Sequence, residues 1–184
     1  MDTLVFNWIN GLPHTEWLDR VVVAVSNFQQ TESLIVFCAV FFLGVLFRKP
    51  RLCLAIAILF LAFVAVDNLV GGLKVVFNKP RPLQTLQNVH VIGGSPRGSS
   101  FPSFQAALVA LLFVYTYLLT KKHLFIFAGL VVLVGFSRVY QGFHYPGDIL
   151  IGWVLGFFGA FPFSWLYRVV HQKLQVLLPG IFKV

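Results

Sequence analysis

The chain has 184 residues, 58% of them hydrophobic and 11% charged, with a mean hydropathy of +0.85. A soluble domain carries about 25% charged residues, so this composition excludes an ordinary soluble fold and calls for burial in lipid as well as in a core. The net charge of +8 comes from basic residues scattered between apolar stretches, not gathered into a stripe, which argues against nucleic acid as a partner.

The N-terminal part holds two short apolar runs, residues 4–9 with Trp8 and residues 21–25. Between them Thr15 is placed to cap a helix, with Glu16 and Asp19 in its first turn, where negative charge suits the helix dipole. Residues 1–30 are therefore expected to form interfacial or re-entrant helices. The first clear apolar run, 33–47, ends in Arg48-Lys49-Pro50-Arg51 and is short of the roughly 20 residues a spanning helix needs. Further runs follow at 52–73, 103–119, 124–139 and 148–167, with a mildly amphipathic tail at 168–184 expected to lie on the membrane surface. The fold class expected is all-α: one polytopic membrane helical bundle over residues 1–184, with five or six transmembrane helices. Cys38 and Cys53 show neither metal spacing nor a disulfide framework. The N-terminus lacks the basic region of a cleavable signal peptide, so the first spans are expected to direct insertion.

Charge sets the expected orientation. With five spans, one side carries Arg48, Lys49, Arg51, Lys121, Lys122, Arg168, Lys173 and Lys183 and no carboxylate. The positive-inside rule makes that side cytoplasmic, so the polar segments 74–102 and 138–148 face outward.

Those two segments, with the start of the span between them, hold the chemistry-bearing residues. Lys74, Arg81 and Arg138 are cations whose burial near lipid is costly without an anion, and a phosphate supplies one. Arg grips phosphate with a bidentate fork and Lys acts as a point charge; taken singly, each is equally well read as a cation snorkelling to headgroups. Ser103 follows Pro102 at the start of a span, where free N–H groups favour an anion. His144 and Asp148 are four positions apart, brought together either on one helix face or, more naturally, by the Pro146-Gly147 turn. Asp148 can then orient the imidazole and stabilise its positive form.

Together these segments resemble the type 2 phosphatidic acid phosphatase (PAP2) family. Lys74 to Pro82 matches a Lys, six residues, Arg-Pro pattern, and Ser137-Arg138 through His144 to Asp148 matches the third motif without departure. In the second motif only Pro102 and Ser103 match; Phe104 stands where the family has Gly, and Gln105 where it has His. The resemblance covers residues 74–148. It implies a lipid phosphatase in which His144 attacks phosphorus to form a phosphohistidine and Asp148 orients it. Lys74, Arg81, Ser103, the backbone of Phe104 and Arg138 would then hold the phosphate. It implies no metal or other cofactor. The expected substrate is an outer-leaflet phospholipid, lipid A or polyprenyl phosphate, with lipid A 1-phosphate or undecaprenyl diphosphate favoured and phosphatidylglycerophosphate the alternative. The expected place is a bacterial inner membrane, with the site facing the periplasm.

Gln105 can hydrogen-bond but cannot deliver the proton a His would give the leaving group. Three readings of it stay open: an introduced substitution, a natural residue paired with a good leaving group such as a diphosphate, or a relative that binds lipid phosphate without catalysis. His90, in the outer loop, is a further histidine that could substitute. Asp67, seven residues before Lys74, is read as a structural partner for a cation or a helix contact, and Gly71-Gly72 as a point of close helix packing. Lys79 and Arg97 are read as outer-loop cations, and Trp8, Trp17 and Tyr140 as an interfacial belt.

Overall fold

Apolar helices dominate the computed structural model, which describes residues 1–26, 49–94 and 96–182. The expected span at 33–47, with Cys38, Arg48 and Lys183, lies outside the described residues. In chain order the helices are α1 (Asp2–Asn10), α2 (Glu16–Ser26), α3 (Pro50–Phe77), α4 (Pro82–Thr85), α5 (Phe104–Thr120), α6 (Leu124–Tyr140), α7 (Pro146–Leu177) and α8 (Pro179–Phe182). Among the described residues there is no strand.

Local chemistry sets the boundaries. Proline opens α3, α4 and α7, where its missing N–H costs nothing and its fixed φ suits the first turn. Asn78 and Lys121, both left-handed, close α3 and α5. Thr15 caps α2 as expected, its hydroxyl accepting from the Leu18 N–H at 3.3 Å. The segments Pro50–Thr85 and Pro146–Leu177 are long and apolar enough to cross a membrane, while α5 and α6 are shorter apolar helices. The protein is an all-α membrane helical bundle.

One core joins Ile58, Leu59, Ala62, Val66 and Val70 of α3 to Ala107, Leu111 and Tyr115 of α5 and Ala160 of α7. The outward faces of the long helices stay apolar: Leu61 and Leu69 on α3, Phe158 and Trp165 on α7 are all about half exposed or more, as lipid contact requires. A second cluster packs Phe6 of α1 against Ala106, Val139, Tyr145 and Ile149, placing the N-terminal helix at the end of the bundle where the motifs meet. The opposite end carries Arg51, which donates to the Phe182 carbonyl at 2.8 Å, and Arg168, which donates to that of Leu118 at 3.1 Å.

Among the described residues, α5 and α7 approach each other closely. A Cβ at Gly156 would collide with the Ala107 carbonyl, and one at Gly152 would lie 2.6 Å from the Ser103 carbonyl oxygen. Small residues let two backbones touch in lipid, where packing and not hydrophobicity drives association. Among the described residues, a Cβ at Gly71 or Gly72 meets nothing within 4 Å. Residues 168–177 continue α7, since no Gly or Pro interrupts the chain between Tyr167 and Leu178, and Pro179 opens α8. One other expectation changes. Tyr140 is fully buried, not interfacial; its hydroxyl lies 3.0 Å from Asp19 Oδ1 and 3.2 Å from the Pro13 carbonyl, tying α6 to the α1–α2 turn.

Candidate active site

The three motif segments converge at one end of the bundle. Lys74 is in the last turn of α3, Arg81 caps α4, Ser103 caps α5, Arg138 ends α6, and Asp148 lies in the first turn of α7. His144 lies just before the Tyr145 cap of α7 and Asp148 in its first turn, which Pro146 and Gly147 open, so the two meet across the start of the helix and not along a shared helix face. Arg81, Ser103, Arg138, His144 and Asp148 are all buried, and Lys74 is half-buried.

The imidazole is oriented by one backbone acceptor and has a carboxylate close by. His144 Nδ1 lies 2.6 Å from the Ser100 carbonyl and 3.8 Å from Asp148 Oδ2. A carbonyl can only accept, so the proton sits on Nδ1 and the Nε2 lone pair is left for chemistry. Nε2 is 3.5 Å from Arg81 Nη1. Burial holds the His144 pKa well below its usual 6.5, and Arg138, Arg81 and Lys74 push the same way against the opposing pull of Asp148. The ring is therefore neutral at neutral pH, the form a nucleophile needs.

Backbone carbonyls hold the cations in place. Arg81 donates to Gly98, Phe143, Arg97 and Ser99 at 3.0–3.3 Å, and Lys74 donates to Ser99 at 2.9 Å. The guanidinium of Arg81 is shifted below its ordinary range by burial, with Asp148 opposing. Arg138 donates to Gln141 Oε1 at 3.2 Å and stacks on the Phe143 ring at 4.6 Å. Three clustered cations at a membrane-protein end, around a neutral imidazole, form a site with a strong preference for a polyanion. At α5 the Ser103 hydroxyl accepts from Ala106 N–H at 3.4 Å. Helix geometry leaves the N–H groups of Phe104 and Gln105 without an intrahelical acceptor. The Gln105 side chain is half-buried in this first turn.

Several neighbours carried no assigned site role in the sequence. Lys79 donates to Asp148 Oδ1 at 2.8 Å and to Asp2 Oδ2 at 3.4 Å, and lies 4.3 Å over the Tyr145 ring. Asp2 also accepts from the Gly147 N–H at 2.8 Å. Lys79 stands two residues before Arg81, so its nearness to the first motif was a usable signal; Asp2 gave none. Ser100 and Gln141 are fully buried. His90 is exposed and stacks on His14 at 3.9 Å, in a cluster with Tyr140 and Asp19, while Arg97 is exposed. Among the described residues no group of His, Cys, Asp and Glu is placed to hold a metal ion.

Fold and site define a helical membrane protein with a buried, cation-lined centre around one histidine. A model of the PAP2 superfamily matches residues 51–174, and the chain belongs to that superfamily. It is 30% identical over 131 residues to the bacitracin transport permease protein BcrC of Bacillus licheniformis, covering 70% of this chain and 64% of that protein. It is 34% identical over 100 residues to the undecaprenyl-diphosphatase of Sulfolobus acidocaldarius, covering 53% of this chain and 48% of that protein. The match thus spans less than two thirds of either relative. The crystal structure of Aquifex aeolicus LpxE is similar at a TM-score of 0.70 and 27% identity, over 88% of this chain and 93% of that one.

Proposed function

We propose that this chain is a membrane lipid phosphatase that works through a phosphohistidine at His144. The observation that carries the reading is the buried Nε2 of a neutral His144 facing three cations brought from α3, the α3–α4 segment and α6. In this mechanism Lys74, Arg81 and Arg138, with the Ser103 hydroxyl and the Phe104 N–H, hold the phosphate oxygens. Nε2 attacks phosphorus, a P–N bond forms as the bond to the leaving oxygen breaks, and water then cleaves the P–N bond. Asp148 stabilises the positive imidazole formed on attack. The cations stabilise charge where it develops, which is electrostatic preorganisation.

Gln105 occupies the place where the family has its general acid, a contribution typically worth about 10²–10⁴-fold. A leaving group that departs as a phosphate needs that proton less than an alcohol does. This favours a diphosphate, and the similarity to an undecaprenyl-diphosphatase supports the same direction; lipid A 1-phosphate is the other favoured substrate, and phosphatidylglycerophosphate the alternative. The basic residues at the far end of the bundle support a cytoplasmic placement for that end and an outward-facing site. The second reading, a protein that binds lipid phosphate without turnover, rests on Gln105.

Phosphate release from undecaprenyl diphosphate, lipid A and phosphatidylglycerophosphate in detergent micelles, with the chain as it stands and with Gln105→His, tests both. Turnover of the diphosphate by both forms supports the leaving-group argument. Turnover by Gln105→His alone marks Gln105 as disabling. No release from any lipid by either form overturns the phosphatase reading in favour of binding.

A further inference from the structure

The α1 helix lies outside residues 51–174, yet it reaches the candidate active site through one carboxylate. A chain of charged contacts runs from the imidazole outward. His144 Nδ1 faces Asp148 Oδ2 at 3.8 Å, and Asp148 Oδ1 accepts from Lys79 Nζ at 2.8 Å. Lys79 Nζ also meets Asp2 Oδ2 at 3.4 Å, and Asp2 Oδ1 accepts from the Gly147 N–H at 2.8 Å. Gly147 lies between Asp148 and the Tyr145 N–H that donates to Asp148 Oδ2 at 2.9 Å, so the contacts close a ring around the start of α7.

We propose that Lys79 and Asp2 are positioning residues that set how much of the Asp148 charge reaches His144. Lys79 takes one carboxylate oxygen and leaves the other turned to the imidazole. Asp2 in turn draws part of the Lys79 charge away from Asp148. The relay alternates in sign, so its members have opposite effects on the ring. Removing the Lys79 cation leaves more of the Asp148 charge to His144 and favours the protonated imidazole. Removing the Asp2 anion commits Lys79 to Asp148 and disfavours it.

Among the described residues, the other charged groups acting on the imidazole are Arg138 from α6, Arg81 from the segment after α3 and Lys74 from α3. All three are cations on the imidazole side. Lys79 is only one-third exposed and Asp148 fully buried, so water weakly screens their contact. Lys79 touches Asp148 at the oxygen turned away from His144, which separates it from the phosphate-binding cations. The proposal rests on the phosphohistidine reading for its consequence in turnover, but not for its effect on the ring.

The test compares Lys79→Met, Lys79→Arg and Asp2→Asn by two measurements. One is the pH profile of kcat/KM for phosphate release, with inhibition by inorganic phosphate. The other is the titration of the His144 imidazole by its ¹⁵N shifts in detergent micelles, assigned against His144→Ala. Lys79→Met is expected to raise the His144 midpoint and the acid limb by about one unit. Because it also frees the carboxylate that Lys79 fixes in place, it should lower kcat on the order of tenfold, with inhibition by inorganic phosphate changed less than about threefold. Asp2→Asn is expected to move the midpoint the other way by a smaller amount, and Lys79→Arg to restore both readouts. Midpoints that stay put in Lys79→Met and Asp2→Asn, or move in the same direction, overturn the proposal. A weakening of inorganic phosphate larger than the loss in kcat also overturns it, by making Lys79 a phosphate ligand. If the parent chain releases no phosphate, the function reading falls while the titration still decides the relay.

Discussion

Gly152→Ala probes the link between helix packing and the site with a single methyl group. The added Cβ would lie 2.6 Å from the Ser103 carbonyl and 2.9 Å from Ala106 Cβ, where ordinary contact begins at 3.4 Å. Either α7 or the start of α5 must therefore retreat by about 0.8 Å. Overpacking of this kind costs about 1–3 kcal/mol, offset by about 0.5–1 kcal/mol from replacing a helical glycine. The larger effect falls on geometry. Ser103 N–H donates to the Asp148 carbonyl at 3.0 Å, so the same movement separates the first turn of α5 from the start of α7. A misplacement near 1 Å costs up to about 10²-fold in rate, so turnover should fall about tenfold or more. Phosphate release and thermal unfolding in detergent are the assays. The control is Gly129→Ala, on α6, where a Cβ meets nothing within 4 Å among the described residues. If Gly152→Ala matches Gly129→Ala in rate and melting temperature, the α5–α7 contact does not position the site.

The remaining predictions concern the site itself. His144→Ala is expected to abolish phosphate release, and residual activity above about 1% of the parent would remove it as nucleophile. Arg138→Ala should lose most turnover, on the order of 10²-fold, in the same phosphate-release assay, and a near-normal rate would mean that the α6 segment does not share the phosphate. The depressed His144 pKa makes folding stability pH-dependent. Below its ordinary 6.5 the unfolded chain binds a proton that the folded chain refuses, so this contribution is whole above that value and declines as pH falls through it toward the folded value. Melting temperatures at about pH 7 and about pH 5 should differ more in the parent than in His144→Gln; equal differences would contradict a buried neutral imidazole.

The apolar runs and their punctuation were legible along the chain because lipid imposes a local rule: every spanning backbone must satisfy its own hydrogen bonds. Runs of the right length therefore report helices directly, and α3, α5 and α6 start and stop within a few residues of their predicted bounds. The gathering of Lys74, Arg81, Ser103, Arg138, His144 and Asp148 at one end was legible too. Alternating spans force motif segments an even number of crossings apart onto the same side. What could not be read was anything decided by distance in space. Gly152 carries no mark in the sequence, and only the crossing of α5 with α7 makes it a contact. Tyr140 resembled a belt aromatic until α1 and α2 closed over it. Lys79 resembled a surface cation until Asp148 and Asp2 met it, two carboxylates 146 positions apart in the chain. Periodicity and composition determined the class of fold and the end that carries the site. Tertiary structure alone decided which charges face one another, because Coulombic partners are chosen by proximity, and a sequence records proximity only within a turn or two.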